Sequence, residues 1–109
     1  MNIVSGNNQF NKILEDHSMV LAYFSGEKCN VCASLKPKIE QMVQQQFSEV
    51  KFVEIPTEIS PELTSRFSVY SVPVVMFFVE GKEYIREARN ISITELTNKM
   101  DHLIRLYNE

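Results

Sequence analysis

The sequence predicts an α/β fold, with a mixed central β-sheet covered by helices on both faces to give a three-layer α/β/α sandwich. Residues 20–24 and 74–79 are short runs of apolar residues, which is typical of strands buried on both faces of a sheet. Apolar residues at helical spacing occupy segments before, between and after these runs. A chain of 109 residues is long enough for one hydrophobic core, so we expect a single domain over residues 1–109.

The first half of the chain predicts two helices and two strands in alternation. A short amphipathic helix is expected over residues 7–16, followed by the apolar strand at residues 20–24. A loop at residues 25–28 leads into a longer helix that contains Pro37, which we expect to kink it. This helix is marked by the apolar residues Ala33, Leu35, Ile39, Met42, Val43 and Phe47. Residues 50–55 then predict a second core strand.

Residues 60–86 predict a short helix followed by a β-hairpin. Ser60 and Pro61 form a helix-start signal, with the serine as cap and the proline at the first helical position. Residues 74–79 and 82–86 are expected to be two strands joined by a Glu-Gly turn. Strands joined by such a turn pair antiparallel, whereas strands separated by a helix pair parallel, so the sheet is expected to be mixed.

A terminal helix is predicted from a capping box. Ser92 and Glu95 have the S-x-x-E spacing in which the serine side chain caps the helix and the glutamate reaches back to it. The predicted inner face of this helix consists of Leu96, Met100, Leu103 and Leu106. The expected element order is therefore α-β-α-β-α-β-β-α.

Composition argues against several function classes. The net charge is −3 with acidic and basic residues interspersed, so the sequence has no basic cluster that would bind nucleic acid or an anionic membrane surface. The longest apolar run, residues 72–79, contains a proline and is far too short to span a membrane. The N-terminal residues lack a basic region followed by an apolar stretch, so we expect no secretory signal and a cytoplasmic protein.

Cys29 and Cys32 are the only cysteines of the chain, and they form a C-x-x-C pair just after an apolar strand. In a chain that is not exported, such a pair is more often catalytic or metal-binding than structural. A zinc site requires about four ligands, and only His17 and His102 remain as partners, at distant points of the predicted fold. We therefore predict no metal site. A structural disulfide is also disfavoured, because so short a loop gives little entropic stabilisation.

Four features together carry a resemblance to a known family. The C-x-x-C pair follows a buried strand at a helix start, and Pro37 comes eight residues after Cys29. Ser71, Val72 and Pro73 directly precede a strand, and the chain ends in a hairpin and a helix. With these features the chain resembles thioredoxin-like proteins over nearly its whole length.

This resemblance implies a thiol–disulfide oxidoreductase that needs no bound cofactor. Cys29 would be the nucleophile, favoured as a thiolate by the helix N-terminus and by the adjacent Lys28. Cys32 would be the resolving thiol, which attacks Cys29 and releases the reduced substrate. The resemblance also implies a cis peptide bond before Pro73, which turns the backbone of Val72 outward to pair with a substrate strand.

The chain also departs from the pattern of thioredoxins. It has no tryptophan; Lys28 stands before the first cysteine, and Asn-Val replaces the usual Gly-Pro between the two. Tyr23 occupies the position of the buried aspartate that is thought to deprotonate the deeper cysteine, and a tyrosine is a poor base at neutral pH. Glu54 matches the lysine that accompanies this aspartate, so we hypothesise that Glu54 or water assists Cys32. Arg89 replaces a glycine of the substrate groove, which indicates narrower or more acidic substrates.

The expected partners are disulfide-containing protein substrates, with electrons supplied by a thioredoxin-reductase-like partner or a low-molecular-weight thiol. Two other functions remain open from the sequence. One is a redox-sensing or partner-binding module of the same fold with little turnover, which multiple-turnover assays would separate from an enzyme. The other is a glutathione-linked carrier, which is disfavoured because the sequence shows no obvious basic groove for a tripeptide carboxylate.

Overall fold

The structure, a computed structural model, describes residues 2–109. Strand and helix alternate along the chain until a final hairpin and helix. The elements are β1 (Asn2–Ile3), α1 (Asn7–Asp16), β2 (Met19–Ser25), α2 (Asn30–Gln46), β3 (Lys51–Pro56), α3 (Pro61–Arg66), β4 (Val74–Val79), β5 (Lys82–Ala88) and α4 (Ile93–Tyr107). No helix in this part of the chain has the length and apolar character that a membrane crossing requires.

The strands form one mixed sheet in the order β1-β3-β2-β4-β5. Strand β3 pairs parallel with both β1 and β2, because helices connect them. Strand β4 pairs antiparallel with β2 and with β5. The carboxyl ends of β2 and β3 therefore lie at the same edge of the sheet as the start of β4 and the end of β5. Cys29, the first turn of α2 with Cys32, and the loop that contains Pro73 all lie at this edge.

Two apolar clusters lie on opposite faces of the sheet, which confirms the predicted three-layer architecture. Alternate residues of β2 point to opposite faces, so Leu21 and Tyr23 pack with α2 and α4, while Ala22 and Phe24 pack with α1 and α3. Every residue of β2 and of β4 is buried. The two continuous apolar runs in the sequence thus form two adjacent interior strands of the sheet, β2 and β4.

Several details differ from the sequence-based expectations. Strand β1 was not predicted, since only two residues pair with β3. Strand β5 extends two residues beyond the predicted residues 82–86. On α4, Leu96 and Met100 are buried as predicted, but Leu106 is half exposed and Ile104 takes the inner position. The placement of Leu106 on the inner face was wrong because the buried stripe follows a 3.6-residue period through Met100 and Ile104.

The predicted cap of α3 has a different role in the structure. Ser60 precedes Pro61 as expected, but its side chain makes no capping hydrogen bond to the helix. The fully buried hydroxyl instead accepts a hydrogen bond from Gly6 N at 3.0 Å and donates one to the carbonyl oxygen of Val4 at 3.0 Å. The serine therefore ties the segment after β1 to the start of α3.

Candidate active site

Cys29 and Cys32 are joined by a disulfide bond at the start of α2, with their Cα atoms 5.2 Å apart. Cys29 is the N-cap residue of the helix, and its sulfur atom accepts a hydrogen bond from Cys32 N at 3.1 Å. Cys29 is partly exposed, whereas Cys32 is only 3% exposed. One sulfur-bearing residue is thus open to a visiting protein and the other lies beneath it.

The loop that presents Cys29 is held at both ends. Cys29 N donates to Gly26 O at 3.2 Å, and Glu27 N donates to the carboxylate of Glu58 at 2.6 Å. Gly26, in the same loop, lies close to Val72 of the segment that precedes β4. A Cβ atom on Gly26 would lie 3.0 Å from Cγ2 of Val72. Sequence reasoning missed Glu58, because its contact spans 31 residues and carries no local motif.

Tyr23 lies fully buried on β2, directly below the cysteines. Its hydroxyl group donates a hydrogen bond of 2.9 Å to the carbonyl oxygen of Cys32. Burial raises the pKa of Tyr23 to about 12, and the nearby carboxylate of Glu54 adds to the increase. Tyr23 is therefore a neutral hydrogen-bond donor at physiological pH, and this excludes it as a base.

Glu54 lies beside Tyr23, because these two residues are partners in the β2–β3 register. Its carboxylate forms an ion pair with Lys36 Nζ at 2.7 Å and accepts a hydrogen bond from the Ser25 hydroxyl at 2.7 Å. Both side chains of the ion pair are largely buried, at 14% exposure for Glu54 and 23% for Lys36. The site therefore holds a fixed carboxylate on β3, paired with an ammonium group from α2.

This ion pair opens into a cavity that reaches both cysteines. The cavity has a volume of about 470 Å³ and is lined by Ser25, Gly26, Glu27, Cys29, Cys32, Ala33, Lys36, Pro37, Glu40 and Glu54. Sequence reasoning missed Lys36 and Ser25. Lys36 had a usable signal, since it lies four residues after Cys32 and so on the same side of α2.

The peptide bond between Val72 and Pro73 is cis, as the resemblance implied. Pro73 is buried and Val72 is partly exposed. Within residues 2–109 the backbone N–H and C=O groups of Val72 have no hydrogen-bond partner, whereas the carbonyl oxygen of Pro73 accepts a bond from Arg89 N at 3.2 Å. Val72 thus presents unpaired backbone groups close to Gly26, which also lies close to Cys29. We call Val72 and Pro73, the residues predicted to bind substrate, the docking segment.

Arg89 and Lys28, the two cations singled out in the sequence, are both exposed near this edge of the sheet. Arg89 has a φ of 64°, a backbone conformation that favours glycine, which agrees with its replacing a glycine of the family pattern. Lys28 lies in the loop immediately before Cys29, and neither cation forms an ion pair within the described residues.

The histidines lie apart in sequence and structure. His17 ends α1, and His102 lies in the middle of α4. Among residues 2–109, no three histidine, cysteine, aspartate or glutamate side chains are grouped so that they would hold a metal ion.

Comparisons with known proteins agree with this geometry. The thioredoxin family model matches residues 2–102. The thioredoxin-like protein YdfQ of Bacillus subtilis is 34% identical over 94 residues, which cover 86% of this chain and 83% of the relative. Thioredoxin 1 of Synechococcus elongatus is 28% identical, over 83% of this chain and 84% of the relative. The fold is also that of Fasciola hepatica thioredoxin, with a TM-score of 0.84 at 22% identity over 94% of this chain and 98% of that protein.

Proposed function

Because the chain belongs to the thioredoxin family and is a protein-disulfide oxidoreductase, we propose that it acts as a reductant of protein disulfides. The observation that carries the proposal is the unequal exposure of the two paired cysteines. Cys29 is partly exposed at a helix N-terminus and Cys32 is buried beneath it. This asymmetry supports the proposed roles, with Cys29 as the attacking thiol and Cys32 as the resolving thiol.

The reaction proceeds through two exchanges of a disulfide bond. The reduced protein starts with a Cys29 thiolate, which attacks one sulfur atom of the substrate disulfide, breaks that bond and releases the first substrate thiolate. A mixed disulfide now links Cys29 to the substrate. Cys32 loses its proton and attacks Cys29, so that the Cys29–Cys32 disulfide forms and the second substrate thiolate leaves. Two electrons have passed to the substrate, and solvent protonates the two thiolates.

The helix N-terminus and its surroundings favour the first step. As N-cap residue of α2, Cys29 already accepts a hydrogen bond from Cys32 N, and a thiolate accepts such a bond better than a thiol does. The exposed Lys28 adds a cation one residue before it. Both effects lower the free energy of the thiolate relative to the thiol, which increases the fraction of Cys29 that is nucleophilic.

The docking segment aligns the substrate for this attack. The unpaired N–H and C=O groups of Val72 are available to an extended substrate segment, which would add to the protein as a short strand. Its backbone hydrogen bonds are independent of sequence, so they support binding of different protein disulfides. They also hold the substrate sulfur near Cys29, so that the attack becomes an effectively unimolecular step within the complex.

Glu54 is our proposed proton acceptor for Cys32. Its carboxylate lines the same cavity as Cys32 and is held in place by Lys36 and Ser25. Tyr23 cannot take this role, because its pKa is raised to about 12. A water molecule in the cavity would connect the carboxylate to the thiol if the two groups do not meet directly.

The oxidised protein requires an external reductant to complete a cycle. A reductase partner of the thioredoxin-reductase type or a low-molecular-weight thiol is the proposed electron source. Either would attack the Cys29–Cys32 disulfide at the exposed sulfur and restore two thiols.

A trapping experiment tests the assignment of roles. The Cys32→Ser variant retains the attacking thiol but cannot resolve the mixed disulfide, so we expect protein adducts to accumulate on Cys29 in cells. The Cys29→Ser variant is the matched control, and we expect it to trap few. Equal recovery of adducts from both variants would overturn the assignment. A second assay supplies the wild-type protein with a disulfide substrate and a reductant. Multiple turnovers would indicate an enzyme, whereas little turnover would indicate a redox sensor.

A further inference from the structure

A small cavity lies beside the docking segment, between α3 and the chain that leads into β4. It has a volume of about 160 Å³ and is lined by Thr57, Thr64, Val69, Tyr70, Ser71 and Val72. We call it the Tyr70 pocket. A cavity of about 150 Å³ is large enough to hold benzene, so this one can take a single aliphatic side chain.

The walls of the Tyr70 pocket are fixed by hydrogen bonds. Thr57 N donates to the carbonyl oxygen of Ser25 at 2.9 Å, which fixes the wall after β3. The Thr64 hydroxyl donates to Pro61 O at 2.7 Å, and Val69 N donates to Thr64 O at 2.8 Å. The pocket is thus formed before any substrate arrives, and little ordering is needed to fill it.

The chemistry of the lining favours an uncharged occupant. None of the six lining residues carries a charge. The larger cavity at the disulfide differs, since Glu27, Lys36, Glu40 and Glu54 lie in its wall. At the rim of the Tyr70 pocket, Tyr70 is 87% exposed. Such a large aromatic side chain gains contact area when a partner covers it.

We propose that the Tyr70 pocket binds one aliphatic side chain of the substrate, from a residue two positions from the reacting cysteine. This rests on the proposed function, because Val72 belongs both to the pocket wall and to the docking segment. In an added strand, side chains two residues apart point to the same face. When the substrate cysteine faces Cys29, the residue two positions away therefore also faces the protein. Disulfides flanked at this spacing by Leu, Ile or Val are the preferred substrate class.

Single-turnover kinetics with peptide disulfides test the inference. The pre-reduced protein is mixed with symmetric disulfide dimers of one cysteine peptide, which carries Leu, Ala or Gln two residues before or after the cysteine. The released peptide thiol is then measured. At one of the two positions we expect the Leu peptide to react about tenfold faster than the Ala peptide, and the Gln peptide to gain no such advantage.

Two variants identify the pocket as the source of this preference. Tyr70→Ala removes an exposed wall, and we expect it to reduce the ratio of Leu to Ala rates to below about threefold. Tyr84→Ala is the matched control, because Tyr84 is also exposed but lies on β5 in the lining of a different cavity. We expect it to keep the wild-type ratio.

The outcomes separate this inference from the proposed function. If Leu and Ala peptides react at equal rates at both positions, or if Tyr70→Ala keeps the wild-type ratio, the pocket inference is wrong while the reductase function stands. If the reduced protein reacts with none of the peptides, the proposed function fails and the inference fails with it.

Discussion

The hydroxyl group of Tyr23 donates a hydrogen bond of 2.9 Å to the carbonyl oxygen of Cys32. This contact joins the central strand β2 to the first turn of α2, where the buried sulfur lies. Tyr23 stands where thioredoxins usually bury an aspartate. In this chain the position therefore holds the backbone of Cys32 in place, and Glu54 on the neighbouring strand supplies a carboxylate fixed by an ion pair.

Replacing Tyr23 with phenylalanine is expected to slow the second exchange step. The variant keeps the buried ring but loses the bond to Cys32 O, so α2 is held less firmly against β2. We expect the resolution of a mixed disulfide by Cys32 to slow about threefold to tenfold, because small displacements of reacting groups have large effects on rate. Stopped-flow measurement of the two exchange steps checks this. An unchanged resolution rate together with a slower first attack would contradict it.

The raised pKa of Tyr23 predicts a loss of stability at alkaline pH. Its pKa is about 12 in the folded protein and about 10 in the unfolded chain. The unfolded chain therefore loses this proton first, so the stabilisation is complete below pH 10 and is lost as the pH rises towards 12. We expect the free energy of unfolding to fall by about 2 to 3 kcal/mol over this range. Urea denaturation at a series of pH values measures it, and the Tyr23→Phe variant should show a smaller decrease.

Removal of the Glu54 carboxylate tests its proposed role as proton acceptor. In Glu54→Gln, we expect the resolution of a trapped mixed disulfide to slow about tenfold or more near neutral pH, with recovery as pH rises and Cys32 ionises unaided. Glu40→Gln is the matched control, since Glu40 lines the same cavity but forms no hydrogen bond or ion pair with Ser25 or Lys36. If Glu54→Gln leaves the resolution rate unchanged, water and not Glu54 accepts the proton of Cys32.

The parts of the fold that could be predicted depend on local sequence. Residues 74–79 are apolar throughout because β4 is covered on both faces, and the same is true of residues 20–24 within β2. The hairpin turn was predicted from a Glu-Gly pair, and both residues adopt positive φ angles, 50° for Glu80 and 79° for Gly81. Ser92 caps α4 through the bond that its spacing to Glu95 predicts.

The parts that could not be predicted depend on contacts between distant segments. Strand β1 is defined by its pairing with β3, about fifty residues away, and two residues carry no periodic pattern. The position of Lys36 on the cysteine side of α2 could be predicted, but its ion pair could not, because the partner Glu54 lies on another element. Glu58 was missed for the same reason, since it binds Glu27 N across the loop that presents Cys29. The cysteines were found because the spacing of the pair is itself a motif.

The Ser60 hydroxyl links Gly6 and Val4 instead of capping α3, and a substitution tests this structural role. In Ser60→Ala, Gly6 N and Val4 O both lose the buried hydroxyl group that pairs them. We expect the variant to lose about 1 to 3 kcal/mol of stability, which is the usual cost of leaving buried polar groups unpaired. Ser65→Ala is the control on the same helix, because Ser65 is exposed, and it should change stability by less than about 0.5 kcal/mol. Equal effects of the two variants in urea denaturation would contradict the role of Ser60.

Arg89 is expected to select substrates by charge. It is exposed directly after β5, and its backbone N–H donates a hydrogen bond to Pro73 O, so the residue lies beside the docking segment. In Arg89→Gln, we expect kcat/KM for a disulfide peptide carrying glutamate to fall about twofold to fivefold relative to the same peptide carrying lysine. Arg89→Lys keeps the charge and should keep the preference. Because exposed charges are screened, the difference should shrink at about 0.5 M salt. A glutamate-to-lysine ratio that is the same in wild type and Arg89→Gln would show that this cation takes no part in substrate selection.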